Sequence, residues 1–469
     1  HHKKAADAAA RGLPLPSTRV GGYTCPKIIV GGWQLSSGHS THPEGSNLPA
    51  LRARCVRDLT AHAAKGLVAF DFGDIYSGVE VIVGRFVCEY VASGGNRSSL
   101  KLHTKLVPDL DKLEVYSADD VRAVVERSCS RLQTSYVDLV QFHWWSLSVP
   151  RYVEVALALT KLRDEGLVRE IGLTNFALTQ TREMVEAGVP IVATQVQLSL
   201  LDRRVEATGL SAYCKAQSIA ILPYGVLAGG LLSDRYLNQP PPPNDPGAHE
   251  TRSLTKYLLI LEEAGGWAAL QALLTRLRSI ADGANCSIAD LAVGWVLSRE
   301  GVRAAIVGAR GQAKVELTVA CARLQQLPPA VLAACTCAAD ECLRPVRGDV
   351  YELERDREGK HGRIMRYNLQ AMEGMVYANE LSERVEAAEA AFECGLAAGS
   401  AHPAAVCVAA TRFQEQLNGI GRELKRLIDR TGMASKEDLE ALMKAWEVMK
   451  RVRASSLAAE AVSRGAIGW

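Results

Sequence analysis

Residues 67–80 read LVAFDFGDIYSGVE, an apolar run that changes abruptly into chemically reactive side chains. Phe70 could belong to a core, but Asp71, Asp74 and Tyr76 follow it closely, and buried carboxyl and phenol groups need partners. A short strand that ends in such side chains is typical of a parallel barrel with a site at its carboxyl edge. The partners must therefore come from the ends of other strands.

Length and composition limit the class of protein. The chain has 469 residues, enough for one large barrel and an extension. With 54 Lys and Arg against 52 Asp and Glu, the net charge is +2, which gives no electrostatic reason to expect nucleic acid or a membrane surface as partner. There is no run of about 18 apolar residues, so we expect no membrane span. A small molecule or a protein is the better expectation.

The cysteines and the first residues bear on the compartment. Twelve cysteines are scattered along the chain without a repeating frame, which favours reduced thiols. The tightest group, Cys335, Cys337 and Cys342, fits no common zinc spacing, so we expect no metal site. The beginning, HHKKAADAAARGLP, is basic and alanine-rich, which favours a transit remnant and a chloroplast location, with the cytoplasm as the alternative.

Short apolar runs alternate with longer amphipathic stretches from residue 27 to about residue 325. Eight runs can form strands: KIIVGGWQ, LVAFDFG, LKLHTKL, VDLVQFHWW, REIGLTNF, IVATQVQL, IAILPYG and RAAIVGAR. Helical patterns separate them, for example at 117–133, where Ser117 could act as the N-cap. This alternation predicts either a (β/α)₈ barrel or an open doubly wound sheet. Reactive residues at nearly every strand end favour the barrel: Asp71, Lys105, His143, Asn175, Gln195, Tyr224 and Arg310.

The chain is predicted to have three segments. Residues 1–26 are expected to be flexible, residues 27–345 to form the barrel, and residues 346–469 to form a helical extension. The proline-rich stretch at 236–254 is expected to be a loop over the site. Residues 413–452 carry two apolar stripes that predict a helical hairpin, which either packs within the protein or docks a partner protein.

Four strand-end residues can together form a proton donor. A phenol has a pKa of about 10, and a neighbouring ammonium lowers it. Lys105 can supply that ammonium and Asp71 can hold it, so that Tyr76 gives a proton to a developing oxyanion. His143 could orient the same oxygen. Taken singly, each residue has an ordinary structural explanation.

An acid of this kind needs a hydride donor, and a reduced nicotinamide is the obvious candidate. Asn175 and Gln195 could bind its carboxamide, and Tyr224 could stack on its ring. The glycines of GVLAGGLL, residues 225–232, could let backbone approach phosphates. Arg310 and Lys314 at a helix start would suit a 2′-phosphate, which points to NADP(H). No GxGxxG follows a strand, so a Rossmann site is not indicated.

These residues resemble the motifs of the aldo/keto reductase superfamily. FDFGDIY is similar to its FDTADxY signature, and LHTK, DLVQFHWW, IGLTNF and PYGVLAGGLL match its later strands in order. Finer detail, such as GGWQLSSGHS and QFHWW, is similar to plant and algal members. Phe72 and Gly73 replace the usual Thr and Ala, and Lys314 and Thr318 stand where many members have Gln or Arg and Asn.

The resemblance implies a (β/α)₈ TIM barrel, NADPH as cofactor, and a catalytic tetrad of Asp71, Tyr76, Lys105 and His143. The residues expected to bind the cofactor are Thr174, Asn175, Gln195, Tyr224, Gly225, Leu227, Gly229, Gly308, Arg310 and Lys314. The expected function is NADPH-dependent reduction of an aldehyde or ketone, in a pocket shaped by Trp33, Trp144 and Trp145. Two alternatives stay open: a barrel that joins a larger assembly through its helical tail, and a redox sensor that uses the cysteines.

Overall fold

The computed structural model describes residues 15–36, 48–243, 249–308, 312–322 and 327–368. Ten strands lie in this part of the chain: β1 (Ser17–Val20), β2 (Tyr23–Pro26), β3 (Ile28–Gly31), β4 (Ala69–Asp71), β5 (Lys101–Leu106), β6 (Val137–Phe142), β7 (Val168–Thr174), β8 (Ile191–Gln195), β9 (Ala220–Ile221) and β10 (Ala305–Gly308). Each of the eight predicted strands is present, as β3 to β10.

The eight strands β3 to β10 form one parallel sheet that closes on itself. Their order is β10-β3-β4-β5-β6-β7-β8-β9, so neighbours in sequence are neighbours in space. The two ends of the sheet meet where Ile306 N donates to Pro223 O at 2.7 Å and where Ile221 pairs with Val302. Closure removes the unpaired sheet edge. The predicted (β/α)₈ barrel is therefore confirmed, and the open sheet is excluded.

Helices cover the outside of the barrel. The described ones are α1 (Leu48–Ala64), α2 (Val79–Ala92), α3 (Ala118–Arg131), α4 (Tyr152–Asp164), α5 (Leu178–Glu186), α6 (Arg204–Ala207), α7 (Leu210–Ala216), α8 (Arg252–Ala264), α9 (Gly266–Gly283), α10 (Ile288–Leu297), α11 (Gln312–Ala322), α12 (Pro329–Cys342) and α13 (Glu352–Arg355). Ser117 caps α3 in a capping box with Asp120, as the sequence predicts, and Ser287 caps α10 in the same way with Asp290.

No single helix in the described ranges is long and apolar enough to cross a bilayer; only α8 and α9, counted together across a 91° bend, reach the required length and composition.

The N-terminal segment is more ordered than predicted. Residues 1–26 were expected to be flexible, but within the described part β1 and β2 form an antiparallel hairpin. The turn is Gly21–Gly22, with Gly21 at φ +52°, a conformation that glycine adopts without strain. Val20 and Cys25 are buried with the small apolar side chains of the barrel interior. The hairpin therefore closes one end of the barrel, and the expectation of flexibility was wrong for these residues.

The C-terminal boundary of the barrel unit also differs from the prediction. The chain divides into two compact units, residues 1–367 and residues 368–469, rather than at residue 345. Residues 343–367, here called the mouth segment, follow α12 and bury Val346, Val350 and Tyr351. The predicted helical hairpin at 413–452 lies outside the described residues.

The barrel interior contains a buried histidine beneath the hairpin. His103 of β5 is fully buried, and its Nε2 lies 2.7 Å from the hydroxyl of Tyr23 in β2. Burial lowers the pKa of His103 to about 4 and outweighs the pull of Asp71 and Asp138. His103 is therefore neutral in the folded protein at neutral pH.

This buried histidine predicts a loss of stability in acid. The pKa of His103 in the folded protein lies below the unfolded value of 6.5. On acidification His103 therefore binds a proton in the unfolded chain before it does so in the folded chain. Between pH 6.5 and about pH 4.5 the group should remove about 2–3 kcal/mol of unfolding free energy. Urea unfolding at both pH values should show that acidification lowers the unfolding free energy less in His103→Gln than in the parent. An equal loss in both would contradict a neutral His103.

Candidate active site

The predicted tetrad converges at the carboxyl ends of three adjacent strands. Asp71 is the last residue of β4, Lys105 lies near the end of β5, and His143 directly follows β6. Tyr76 lies in the loop between β4 and α2. Because β4, β5 and β6 pair in register, these four side chains share one end of the barrel. We call this end the mouth.

Lys105 and Asp71 form a buried ion pair. The Lys105 Nζ donates to Asp71 Oδ1 at 2.6 Å and to the Phe72 carbonyl at 2.7 Å. Their side chains are only 5% and 4% exposed, so water screens the pair little. The ammonium also lies 4.9 Å from the ring centroid of Tyr76. The predicted arrangement of carboxylate, ammonium and phenol is thus present in the geometry.

The second oxygen of Asp71 is bound by two amides. Gln141 Nε2 donates to Asp71 Oδ2 at 2.6 Å, and Gln195 Nε2 donates to the same oxygen at 2.7 Å and to Gln141 Oε1 at 2.8 Å. Gln195 was expected to bind a nicotinamide carboxamide, but here its amide nitrogen serves Asp71. Gln141 was missed, although a polar residue inside the apolar strand VDLVQF was a visible signal.

Burial changes the pKa values of the tetrad in a way the sequence did not predict. Burial raises the pKa of Tyr76 and outweighs the lowering effect of the Lys105 ammonium, so the net shift is upward. The lowering effect expected of Lys105 is therefore present, but burial, which the sequence did not predict, exceeds it in this conformation. Burial also lowers the pKa of Lys105, but Asp71 and Tyr76 outweigh it and hold the pKa above its usual value. At neutral pH Tyr76 carries its proton and Lys105 its charge.

His143 is neutral and has one unpaired nitrogen. Its Nδ1 lies 3.1 Å from the Thr174 carbonyl, which can only accept, so Nδ1 carries the proton. Burial, followed by the charge of Arg355, lowers the pKa of His143 to about 3. The Nε2 atom is buried and has no hydrogen-bond partner among the described residues, and because Nδ1 carries the proton, Nε2 is an unprotonated acceptor at the mouth. Thr174, predicted to bind cofactor, orients His143 through its backbone.

Asn175 and Tyr224 were both expected to bind the nicotinamide. The structure places them together, where they form a hydrogen bond with each other. The Tyr224 hydroxyl donates to Asn175 Oδ1 at 2.9 Å. Lys256 of α8 places its Nζ 4.8 Å from the Tyr224 ring centroid and 3.4 Å from its hydroxyl. In this conformation the amide oxygen of Asn175 is occupied, and one face of the Tyr224 ring is covered by a cation.

The glycine loop after β9 makes room for a side chain. A Cβ atom on Gly225 would lie 2.2 Å from the Tyr257 hydroxyl, and one on Gly229 would lie 2.9 Å from the Tyr257 ring. Both glycines have positive φ, and Leu227 between them accepts turn hydrogen bonds through its carbonyl. The close approach predicted for phosphates is here made by Tyr257 of α8.

The three tryptophans have different surroundings. Trp144 is fully buried against Tyr116 and Phe142, and its Nε1 donates to Val149 O at 2.9 Å, so it belongs to the core and not to a substrate pocket. Trp145 lies at the mouth, with its ring centroid 4.5 Å from that of His143. Its Nε1 is buried without a hydrogen-bond partner.

Trp33 and the adenine-end residues remain predictions. Trp33 begins a short 3₁₀ turn after β3 and is partly exposed at the same end of the barrel. Gly308 ends β10 and is exposed, with Gln34 beside it. Arg310 and the side chain of Lys314 lie outside the described residues, so their predicted contact with a 2′-phosphate has no geometry to judge.

The feature that sequence reasoning missed is the mouth segment, residues 343–367. Tyr351 places its ring centroid 5.5 Å from that of His143 at an interplanar angle of 87°, and Tyr367 lies 4.8 Å from Trp145. Arg355 Nη2 donates to Asn175 O at 2.5 Å. The proline-rich loop was expected to cover the site instead, but its described part packs on α9 through Trp267 and Gln271.

The chain is similar to known proteins over its barrel. A model described as the Aldo/keto reductase family matches residues 27–340. The aldo-keto reductase YhdN of Bacillus subtilis is 30% identical over 305 residues, which cover 63% of this chain and 84% of that protein. Flagellar radial spoke protein 5 of Chlamydomonas reinhardtii is 29% identical over 253 residues, 47% of each chain, so this chain spans about half the length of that relative.

Solved structures share the fold. The glycerol dehydrogenase of Gluconobacter oxydans superposes with a TM-score of 0.56 at 24% identity, covering 71% of this chain and 97% of that one. At this identity the likeness shows the fold alone. The narrower resemblance to plant and algal members stays a prediction.

The buried ion pair predicts a non-additive double mutant. Lys105→Met should lower the unfolding free energy by about 3–5 kcal/mol, because Asp71 keeps a buried charge without its cation. Adding Asp71→Asn should restore part of that loss, since no unpaired charge remains. Urea unfolding of the parent, both single variants and the double variant measures the coupling.

The exposed pair Arg122–Glu165 serves as the control, because its N–O distance is also 2.6 Å. Arg122→Met should change stability little, since water screens that pair. Simple additivity of Lys105→Met and Asp71→Asn would show that the buried pair is not coupled.

Proposed function

Because the chain belongs to the aldo/keto reductase family, we propose that it reduces an aldehyde or ketone, with NADPH as hydride donor and Tyr76 as proton donor. The observation that carries this proposal is the Lys105 ammonium held at 2.6 Å by Asp71 beside the Tyr76 phenol. An ammonium fixed in this way stabilises the phenolate that forms when the proton leaves. The Nε2 of His143, which is unprotonated, is an acceptor at the mouth that the hydroxyl of an alcohol product can use.

The protonation states support Tyr76, rather than His143, as the acid. At neutral pH the phenol of Tyr76 carries its proton, since burial raises its pKa. His143 has its proton on Nδ1, bound to the Thr174 carbonyl, so its Nε2 accepts hydrogen bonds and does not donate them. In the proposed reaction Tyr76 gives its proton to the carbonyl oxygen, and the hydroxyl of the alcohol product can then donate to His143 Nε2.

A nicotinamide cofactor would supply the hydride when bound. The residues expected to hold its ring and carboxamide fit it only in part in this conformation. Asn175 Oδ1 accepts from Tyr224, the amide of Gln195 serves Asp71, and Lys256 covers one face of Tyr224. The choice of NADPH over NADH rests on Arg310 and Lys314 and is tested by titrating both dinucleotides against the full chain by fluorescence.

A matched pair of variants tests the proton donor. Tyr76→Phe should lower kcat for NADPH-dependent carbonyl reduction by about 100-fold or more, because it removes the acid but not the cofactor site. The dissociation constant for NADPH should stay within about twofold of the parent value. Tyr90→Phe on α2, which removes a hydroxyl bound to Ser99 outside the barrel, should leave both quantities unchanged. Turnover by Tyr76→Phe at the parent rate would refute the assignment.

A second candidate function is that of a subunit in a larger assembly. The observation that favours it is the similarity to a flagellar radial spoke protein, 29% identical over 253 residues. The two functions are compatible, because the barrel and residues 368–469 are separate units. The chloroplast location expected from the first residues stays a prediction.

Removal of residues 369–469 distinguishes the two functions. If the tail joins the chain to an assembly, the truncated protein should leave the high-mass fraction of a flagellar extract, while its reductase activity is retained. Sedimentation of parent and truncated protein, with NADPH oxidation assayed in each fraction, measures both properties. If the parent protein sediments entirely as a monomer and none is found in the high-mass fractions, the assembly role is excluded.

A further inference from the structure

The carbonyl end of the proposed site is covered by Tyr351. This side chain is 8% exposed, and its ring stands edge to face with His143, whose Nε2 is buried without a hydrogen-bond partner. A substrate carbonyl oxygen must reach the Tyr76 phenol at this same end of the barrel. With Tyr351 in this place, the approach from the mouth is filled by protein.

Arg355 binds the mouth segment to the strand ends where the nicotinamide is expected to lie. Its Nη2 donates to the Asn175 carbonyl at 2.5 Å and to the Trp144 carbonyl at 3.5 Å, which joins the mouth segment to the ends of β6 and β7. Within the described part of the chain, the hydrogen bonds of Arg355 go to backbone oxygens, including Val350 O at 3.2 Å in its own segment. Its guanidinium also lies 5.4 Å from the Tyr351 ring centroid. The contact places a guanidinium directly beside the asparagine expected to bind the carboxamide.

Glu354 holds a second cation over the proposed ring site. It is fully buried, 3.6 Å from Lys256 Nζ and 3.6 Å from Arg204 Nη1. Lys256 lies in turn over the rings of Tyr224, at 4.8 Å, and Tyr351, at 5.3 Å. Arg204 has its own carboxylate in Asp202 at 2.7 Å, so Glu354 matters most for Lys256. Without Glu354, the Lys256 ammonium would lose its nearest carboxylate in a buried place.

The segment is anchored along its length: Arg344 N donates to Ala264 O at 2.9 Å, Arg252 Nη2 donates to Ile364 O at 3.1 Å, and Leu110 N donates to Tyr367 O at 3.0 Å. The contacts with the proposed site come from its middle. Tyr351, Glu354 and Arg355 make the contacts just described, whereas Glu352 and residues 356–358 beside them are exposed. Glu354 is the buried carboxylate of this middle part, so removing its charge should weaken the hold of the segment on the mouth. Its release would free Tyr224, Asn175 and His143 together.

We propose that the mouth segment is an intramolecular inhibitor that competes with the dinucleotide: the nicotinamide reaches Asn175 and Tyr224 only after residues 343–367 have left the mouth. This inference rests on the proposed function, because it concerns the same site. The apparent dissociation constant for the cofactor is then the intrinsic constant divided by the fraction of open molecules. A variant that weakens the closed state therefore binds the cofactor more tightly.

The test compares two isosteric substitutions in the same segment. Glu354→Gln removes the buried charge that holds Lys256, and Glu358→Gln makes the same chemical change at an exposed position. Fluorescence titration of the full chain should give an NADPH dissociation constant at least about tenfold lower for Glu354→Gln than for the parent. Glu358→Gln should match the parent. Tyr351→Ala, which uncovers His143 without changing any charge, should also bind NADPH more tightly.

Hydrogen exchange reports on the segment without relying on turnover. Amides of residues 346–367 should exchange faster in Glu354→Gln than in the parent, and faster in the parent when NADPH is added. Slower exchange of these amides with NADPH would mean that the segment closes over bound cofactor, which overturns the inference. Equal NADPH affinity in the parent, Glu354→Gln and Tyr351→Ala would overturn it as well, while leaving the reductase proposal intact.

If the reductase proposal itself is wrong, the same experiments should give a different result. If exchange shows that Glu354→Gln opens the segment but neither NADPH nor NADH binds the variant, no dinucleotide site lies beneath it. That result would overturn both the reductase proposal and the competition inferred from it. The melting temperature of each variant identifies any that fail to fold, and Tyr351→Ala then replaces Glu354→Gln in the comparison.

Discussion

The mouth of this barrel depends on one ammonium group kept charged away from water. Transfer of a lysine into a protein interior is costly, and Lys105 is tolerated because Asp71 lies 2.6 Å away and the Phe72 carbonyl takes a second hydrogen. Asp71 is satisfied in turn by Gln141 and Gln195. Loss of any of these partners would leave a buried charge or a buried acceptor unpaired. The hydrogen bonds that position the catalytic candidates therefore also connect strands β4, β5, β6 and β8.

Much of the barrel was predictable because local patterns determine it. The strands are short apolar runs, and β4, β7 and β8 end in the polar residues Asp71, Thr174 and Gln195. The cap of α3 at Ser117 is encoded within four residues. The convergence of Asp71, Tyr76, Lys105 and His143 follows from the parallel order of the strands alone, since the carboxyl ends of such strands share one face.

The features that the sequence did not predict depend on contacts between residues that are distant in sequence. The turn Gly21–Gly22 was a usable hairpin signal, but nothing local shows that Val20 would enter the barrel. Glycines 225 and 229 suit a phosphate or a tyrosine equally well, and only the packing of α8 shows that Tyr257 takes the space. The mouth segment is separated from Asn175 by 180 residues along the chain, so no periodicity could place Arg355 on its carbonyl.

The mouth segment also changes how the acid should be understood. Two opposed effects act on Tyr76: burial raises its pKa, and Lys105 lowers it, with burial prevailing while the mouth is closed. Burial, and then the Glu354 carboxylate, also raise the pKa of Tyr351, so this phenol stays protonated beside His143. Opening the mouth would admit water and weaken the desolvation, but it would leave Lys105 and Asp71 in place, because their bonds lie within the barrel. Opening the mouth would therefore reduce the upward shift of the Tyr76 pKa, while the lowering effect of Lys105 remains.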